Sequence, residues 1–216
     1  MVLTILLLVA PQLFASQKLV LVGGGARPSN AMERFIDFAG GSKDSQILVI
    51  TWATSEPSET FQAIRADMSD AVNVIHAETA PLDTKKKKAF LIQLAKATGV
   101  FFSGGDQNRI MDVLADSVLL KTIQSKYLGG TVFGGTSAGT AVVPEVMMTG
   151  DSDLTVIDGS KVKVRKGLGF LPNVIVDQHF IVRQRENRLF GLMFDHKNKV
   201  GLGIDEGMAV VIKDGS

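Results

Sequence analysis

The stretch Thr131-Val-Phe-Gly-Gly-Thr-Ser-Ala-Gly139 joins a short apolar run to a glycine-rich turn, and an apolar helical stretch follows it. Its last five residues form the pattern G-x-S-x-G, which is typical of a serine held at a sharp turn from a strand to a helix. Small neighbours let the backbone crowd at such a turn, and the amide of Ala138 then points to the place where an oxyanion develops. We therefore predict that Ser137 is a nucleophile at the end of a buried strand.

Four more apolar runs of strand type precede this turn, and helical stretches lie between them. The predicted strands cover residues 18–22, 46–51, 71–75 and 100–102. The predicted helices cover residues 30–39, a segment from Pro57 to about Met68, a segment from Asp83 or Thr84 to about Gly99, and residues 107–115 and 118–127. Continuous apolar strands that alternate with helices indicate an α/β fold with a mostly parallel sheet and helices on both faces. We expect one such domain over residues 17–216.

Both ends of the chain carry a further signal. Residues 1–16 form an apolar run too short for a comfortable membrane span, with small residues near Ala15. This predicts a signal peptide, a mature chain that begins near Ser16 or Gln17, and a secreted or periplasmic protein. A strand is expected at residues 208–212, and the turn after it suggests that the natural protein continues beyond Ser216.

Composition excludes several classes of function. The chain of 216 residues has 45% hydrophobic and 21% charged residues and a formal net charge of +1, a balance that gives no reason to expect nucleic acid or an anionic membrane as partner. The basic run at residues 85–88 is interpreted as the wet first turn of an amphipathic helix. Without cysteine, disulfides and thiolate catalysis are ruled out.

A catalytic serine requires a base and a carboxylate that orients the base. Of the three histidines, His76 precedes a turn and His196 lies in a polar loop, whereas His179 follows an apolar run and is best placed to face a cleft. The residues alone leave the carboxylate open. The candidates are Asp205, Glu206, Asp151, Asp153 and Asp177.

Other polar residues are candidates for substrate contact. Gly104 and Gly105 follow a predicted strand and can supply a second oxyanion amide, while Asp106 is expected to cap the next helix. Arg183, Arg185 and Arg188 follow His179 closely, and they are interpreted either as forked ligands of a carboxylate or as a solvated face.

Cofactor and metal motifs are not expected to contribute. The glycines at residues 23–25 lack the spacing of a dinucleotide-binding loop, and the sequence has neither H-E-x-x-H nor another metal-ligand pattern. We predict an enzyme that uses no cofactor and no metal.

Taken together, these residues resemble those of the cyanophycinases, serine peptidases related to the aspartyl dipeptidases. The resemblance runs from about Leu19 to Ile212. It rests on Leu21-Val-Gly-Gly-Gly25, Phe101-Phe-Ser-Gly-Gly-Asp-Gln107, Gly134-Gly-Thr-Ser-Ala-Gly139, Gly167-Leu-Gly-Phe-Leu-Pro172 with Asp177-Gln-His-Phe180, and Gly203-Ile-Asp-Glu206.

The resemblance implies a flavodoxin-like fold, a homodimer and a Ser-His-Glu triad, which selects Glu206. It also implies hydrolysis of cyanophycin, an aspartate polymer with arginines on the β-carboxylates, to β-aspartyl-arginine dipeptides. The implied substrate groove is lined by Gln107, Asp177, Gln178, Arg183, Arg185 and Arg188. Thr140 departs from a common alanine of the family. The alternatives are an aspartyl dipeptidase that acts on short peptides and a non-catalytic homologue that binds peptide.

Overall fold

A computed structural model describes residues 16–214, so the predicted signal peptide lies almost wholly outside the described residues. The strands are β1 Lys18–Val22, β2 Gln46–Ile50, β3 Asn73–His76, β4 Gly99–Phe102, β5 Val132–Thr136, β6 Val146–Ser152, β7 Val162–Lys166, β8 Val174–Gln178, β9 Val200–Ile204 and β10 Ala209–Lys213. The α-helices are α1 Ser29–Phe38, α2 Gly41–Asp44, α3 Pro57–Asp67, α4 Thr84–Lys96, α5 Gln107–Val113, α6 Ser117–Leu128, α7 Ala138–Ala141 and α8 Glu186–Asp195. Within residues 16–214 no helix is long and apolar enough to cross a membrane.

Six strands form the central sheet, in the order β10–β1–β5–β4–β2–β3. Neighbouring strands from β1 to β3 in this order are parallel, and only β10 pairs antiparallel, with β1. The α/β class and the mostly parallel sheet are therefore confirmed. Parallel strands place the loops after their carboxyl ends along one edge, where ligands bind in open α/β sheets.

Alternate side chains of the strands feed two cores, because successive residues of a strand point to opposite faces. On one face Phe101 packs with Phe35 of α1 and Ile64 of α3. On the other, the flanking Val100 and Phe102 pack with helices α4, α5 and α6. Helices thus cover both faces, as predicted.

The observed boundaries of the strands and helices differ most from the predicted ones where the residues are least buried. The predicted strand at residues 71–75 forms only from Asn73, because Ala71 closes a turn onto Met68 and Val72 is exposed. Asp83 caps α4 and Asp106 caps α5, as expected, each through a backbone amide of the following helix. Lys85 to Lys88 form the first turn of α4.

Two small sheets complete the fold beyond α7. Strands β6 and β7 form an antiparallel hairpin that the sequence did not reveal. Strands β8 and β9 pair in parallel, with Asp177 opposite Gly203 and Gln178 opposite Ile204. Their carboxyl ends therefore lie side by side, which brings the segment after Gln178 next to the segment after Ile204.

Candidate active site

Ser137 stands at the turn between β5 and α7. Its backbone has φ 52° and ψ −111°, a conformation that non-glycine residues rarely adopt, and its amide donates to the Val22 carbonyl at 3.1 Å. A Cβ at Gly139 would overlap the backbone carbonyl of Phe102, so the turn requires a glycine there. The hydroxyl of Thr140 donates to the carbonyls of Val22 (2.7 Å) and Gly135 (2.9 Å). A threonine at this position therefore ties the turn to β1.

His179 reaches Ser137 from the end of β8. Its Nε2 lies 2.8 Å from the Ser137 hydroxyl oxygen, and its Nδ1 is hydrogen-bonded to the Glu206 carboxylate. A carboxylate only accepts hydrogen bonds, so Nδ1 carries the proton of the neutral ring and Nε2 accepts from the serine. Gly24 makes room for the ring, since a Cβ at Gly24 would overlap it. The glycine-rich loop after β1 therefore shapes this site instead of a nucleotide site.

The groups around His179 lower the pKa of its imidazole and so favour the uncharged ring. Burial lowers the pKa of His179 below its ordinary value; the hydrogen bond that its Nδ1 donates to Glu206 opposes this, and the positive charge of Arg183 lowers the pKa further. A neutral imidazole near neutral pH is the form that can take a proton from a serine hydroxyl.

The carboxylates that the sequence left open have separate positions. Glu206 alone contacts His179, while Asp205 accepts the amides of Ile181 and Val182 at 3.1 Å each and so fixes the loop that carries the histidine. The others have different partners. Asp151 pairs with Lys163, Asp153 accepts from Thr155, and Asp177 pairs with Arg188.

The predicted oxyanion donors lie near the serine and keep their amides open. Ser103 and Asp106 donate their amides to Ile50 and Ala53, whereas the amides of Gly104 and Gly105 between them have no acceptor within residues 16–214. A Cβ at Gly104 would stand 3.5 Å from that of Ser137, so this loop borders the nucleophile. Ala138 opens α7, where amides lack partners in the helix.

A cavity of about 420 Å³ opens over these groups. Ser137, His179, Gly104, Gly105 and Arg183 line it. Among its other lining residues, Arg27, Thr54 and Thr60 carry polar side chains that the sequence analysis did not consider. The position of Thr54 soon after β2, at the active edge of the sheet, was the available signal.

The arginines after His179 separate into different environments. Arg183 is exposed and lines the cavity. Arg188 is 1% exposed and forms a forked ion pair with Asp177, which is also 1% exposed. The prediction that Arg188 and Asp177 contact substrate is therefore corrected, because both side chains are enclosed and held by protein partners. Besides their mutual pair, Arg188 donates to the Ser152 hydroxyl, and Asp177 accepts the Gln178 amide and lies 3.8 Å from Arg185.

The remaining predicted groove residues are also held by protein partners. The Gln107 amide donates to the Met148 carbonyl at 2.9 Å, which joins α5 to the β6–β7 hairpin. Arg185 donates to the backbone oxygen (2.7 Å) and side-chain oxygen (2.6 Å) of Gln178. Burial, then the charge of Arg188, lowers the pKa of Arg185 to about 10. Substrate contact by these three residues stays a prediction.

The other histidines lie away from Ser137. His76 is bonded to the Thr51 hydroxyl at 2.7 Å and stacks on Phe61, and His196 closes α8. Within residues 16–214 no cluster of three or more His, Asp or Glu side chains is arranged to hold a metal ion.

The similarity of this chain to known proteins identifies its family. The profile of Peptidase family S51 matches residues 19–216. The chain belongs to peptidase family S51. It is 35% identical to the cyanophycinase of Geminocystis herdmanii (strain PCC 6308), over 90% of this chain and 74% of that protein. It is 34% identical to the cyanophycinase of Nostoc sp. (strain PCC 7120 / SAG 25.82 / UTEX 2576), over 92% of this chain and 69% of that protein.

Solved structures agree on the fold. A crystal structure of a peptidase from an acI-B1 Actinobacterium superposes with a TM-score of 0.69 at 21% identity, covering 92% of this chain and 83% of the other. This S51 chain is accordingly a serine-type peptidase with a flavodoxin-like fold.

Proposed function

We propose that this S51 peptidase hydrolyses cyanophycin to β-aspartyl-arginine dipeptides through an acyl-enzyme on Ser137. The observation that carries the proposal is the hydrogen-bonded chain from Ser137 through His179 to Glu206, which opens onto a cavity bordered by an exposed arginine. The similarity to proteins named cyanophycinase supports the choice of substrate.

The triad residues and two backbone amides share the steps of the proposed mechanism. His179 Nε2 takes the hydroxyl proton as Ser137 Oγ attacks the scissile carbonyl, and Glu206 stabilises the resulting imidazolium. The amides of Ala138 and Gly105 bind the oxyanion, because neither has an acceptor within residues 16–214. His179 then gives its proton to the leaving amine. Water attacks the acyl group next, and His179 takes a proton from this water and returns it to Ser137 Oγ as the acyl group leaves.

Arg183 is the proposed binding residue for the substrate's charge. Each side group of cyanophycin carries a free α-carboxylate, and a guanidinium binds a carboxylate through two parallel hydrogen bonds. Arg183 has no ion-pair partner within residues 16–214, so its fork is available to substrate. Gln107, Gln178 and Arg185 are proposed to line the same groove. Gln107 is held by its contact with Met148 of β6, and Gln178 and Arg185 are held by each other.

The experiment compares wild type with Ser137→Ala on insoluble cyanophycin and on Asp-X dipeptides. Wild type should release soluble β-aspartyl-arginine, and the variant should lose several orders of magnitude in turnover with its fold intact, since the triad acts as a unit. A variant with a tenth of wild-type activity would refute the serine mechanism. Cleavage of Asp-X dipeptides alone would favour the aspartyl dipeptidase. Failure of a serine-directed phosphonate to label Ser137 would favour a non-catalytic peptide-binding protein.

The homodimer and the export of the protein through a cleaved leader stay predictions.

A further inference from the structure

A second cavity adjoins the one over Ser137. It has a volume of about 580 Å³ and shares Thr54 with the active-site cavity. Its walls come from segments that follow β2 and β3 and from helices α5 and α6, so it lies at the same edge of the sheet. A substrate bound at Ser137 would reach this cavity by extending past Thr54.

The second cavity combines an apolar wall with a pair of opposite charges. Trp52, Pro81 and Leu82 contribute to the wall. Arg109 and Asp112 are spaced i, i+3 on α5, which places them on one face of the helix.

Both charges are accessible to a ligand. Arg109 is exposed and has no ion-pair partner within the described residues 16–214. The side chain of Asp112 is 68% exposed, and only its Oδ1 is paired, with Arg165 at 2.9 Å, so that Oδ2 has no partner within residues 16–214. By contrast, Asp116 in the same cavity is committed, since it caps α6 and pairs with Lys87 at 2.5 Å.

We propose that this cavity is a subsite for the arginine side group of a neighbouring repeat of the polymer, a claim that rests on the proposed function. Such a group carries an anionic α-carboxylate and a cationic guanidinium joined by an aliphatic stem. Arg109 binds the carboxylate, Asp112 binds the guanidinium, and the stem lies against Leu82 and Pro81. The two charges of the cavity together complement a zwitterion, whereas a simple anion or a simple cation would satisfy only one of them.

A length series of substrates tests the subsite. Soluble oligomers of β-aspartyl-arginine with two, three and four repeats are cleaved by wild type, Arg109→Glu, Asp112→Lys and a control, Lys43→Glu. Lys43 lies on α2, before β2 and hence at the opposite edge of the sheet, and its substitution changes the net charge as much as Arg109→Glu. The readout is the ratio of kcat/KM for four repeats to that for two.

In wild type and in Lys43→Glu this ratio should exceed one, and in the two α5 variants it should fall by roughly three- to tenfold, the range for partly exposed charged contacts. Melting curves verify that each variant is folded. If wild type cleaves two repeats and gains nothing from more, or if the α5 variants keep the wild-type ratio, the subsite is refuted while the proposed function stands. If wild type cleaves no oligomer of any length, the proposed function fails, and the subsite fails with it.

Discussion

Arg183 and Arg188 lie five positions apart in one arginine-rich stretch, yet they occupy opposite environments. Arg183 is exposed at the cavity over Ser137, where its charge acts on His179. Arg188 is buried in α8 and holds Asp177 in a forked pair. The same side chain is thus a candidate ligand of substrate at one position and an internal tie between β8 and α8 at the other.

The role of each arginine is determined by the group that it faces and not by its residue type. Asp177 is the penultimate residue of β8, and its side chain is fully enclosed. A buried carboxylate is costly unless a cation and further hydrogen bonds compensate it, so Arg188 is required inside the protein. The cavity makes no such demand on Arg183, which has no ion-pair partner in the described part of the chain.

Substitution of the buried arginine should destabilise the protein most. Arg188→Ala should lower the free energy of unfolding by about 3–5 kcal/mol, because it leaves the buried Asp177 charge with only the longer contact to Arg185, at 3.8 Å, as an ion pair. Urea unfolding measures this loss. Arg183→Ala is the matched control and should change the free energy of unfolding by less than about 0.5 kcal/mol.

A second variant separates the lost charge pair from lost packing. The double change Asp177→Leu with Arg188→Met should recover much of the stability lost in Arg188→Ala, since apolar replacements of a buried ion pair are often neutral. If Arg188→Ala unfolds at the same urea concentration as Arg183→Ala, the assignment of Arg188 as an internal tie is wrong.

An intermediate effect is expected at the exposed arginine, on activity rather than stability. Arg183→Lys should reduce kcat/KM on cyanophycin, with a loss of transition-state stabilisation of about 1–3 kcal/mol, because an ammonium keeps the charge but not the forked geometry. Steady-state kinetics measure the loss, and wild-type kinetics for this variant would show that Arg183 belongs to a solvated face.

The catalytic half of the site was predictable from sequence because its signals are local. The pattern around Ser137 carries the turn geometry within five residues, and the apolar run before His179 marks a strand end. The pairing of β8 with β9 is not local, so the residues alone left Glu206 level with Asp205, and the family resemblance was needed to select it. The structure brings Glu206 to His179 and turns Asp205 to the amides of Ile181 and Val182.

Burial of polar residues was not predictable in the same way. Asp177 and Arg188 read as accessible charges in sequence, and only the packing of α8 against the β8–β9 pair encloses them. The β6–β7 hairpin escaped notice because its only apolar run is Val146 to Met148, and the rest of both strands is largely polar. The helices on both faces were predictable since their apolar spacing is strong and local.

The charge of Arg183, considered apart from its hydrogen bonds, should have a modest effect on the pH dependence of activity. Its positive charge disfavours the imidazolium of His179, so it helps to lower the pKa of that histidine. The base must be neutral to act, and kcat/KM therefore falls as pH drops through this pKa. Removing the charge in Arg183→Gln raises the pKa of His179 and should move the acid limb of the kcat/KM profile to higher pH. Arg183→Lys keeps the charge and should leave the acid limb where wild type has it, even though its kcat/KM is reduced. Added salt should shrink the difference between the Gln variant and wild type, because the arginine is exposed and screened. An acid limb that is the same in all three proteins would mean that Arg183 and His179 do not interact electrostatically, and the role of Arg183 would then be confined to binding.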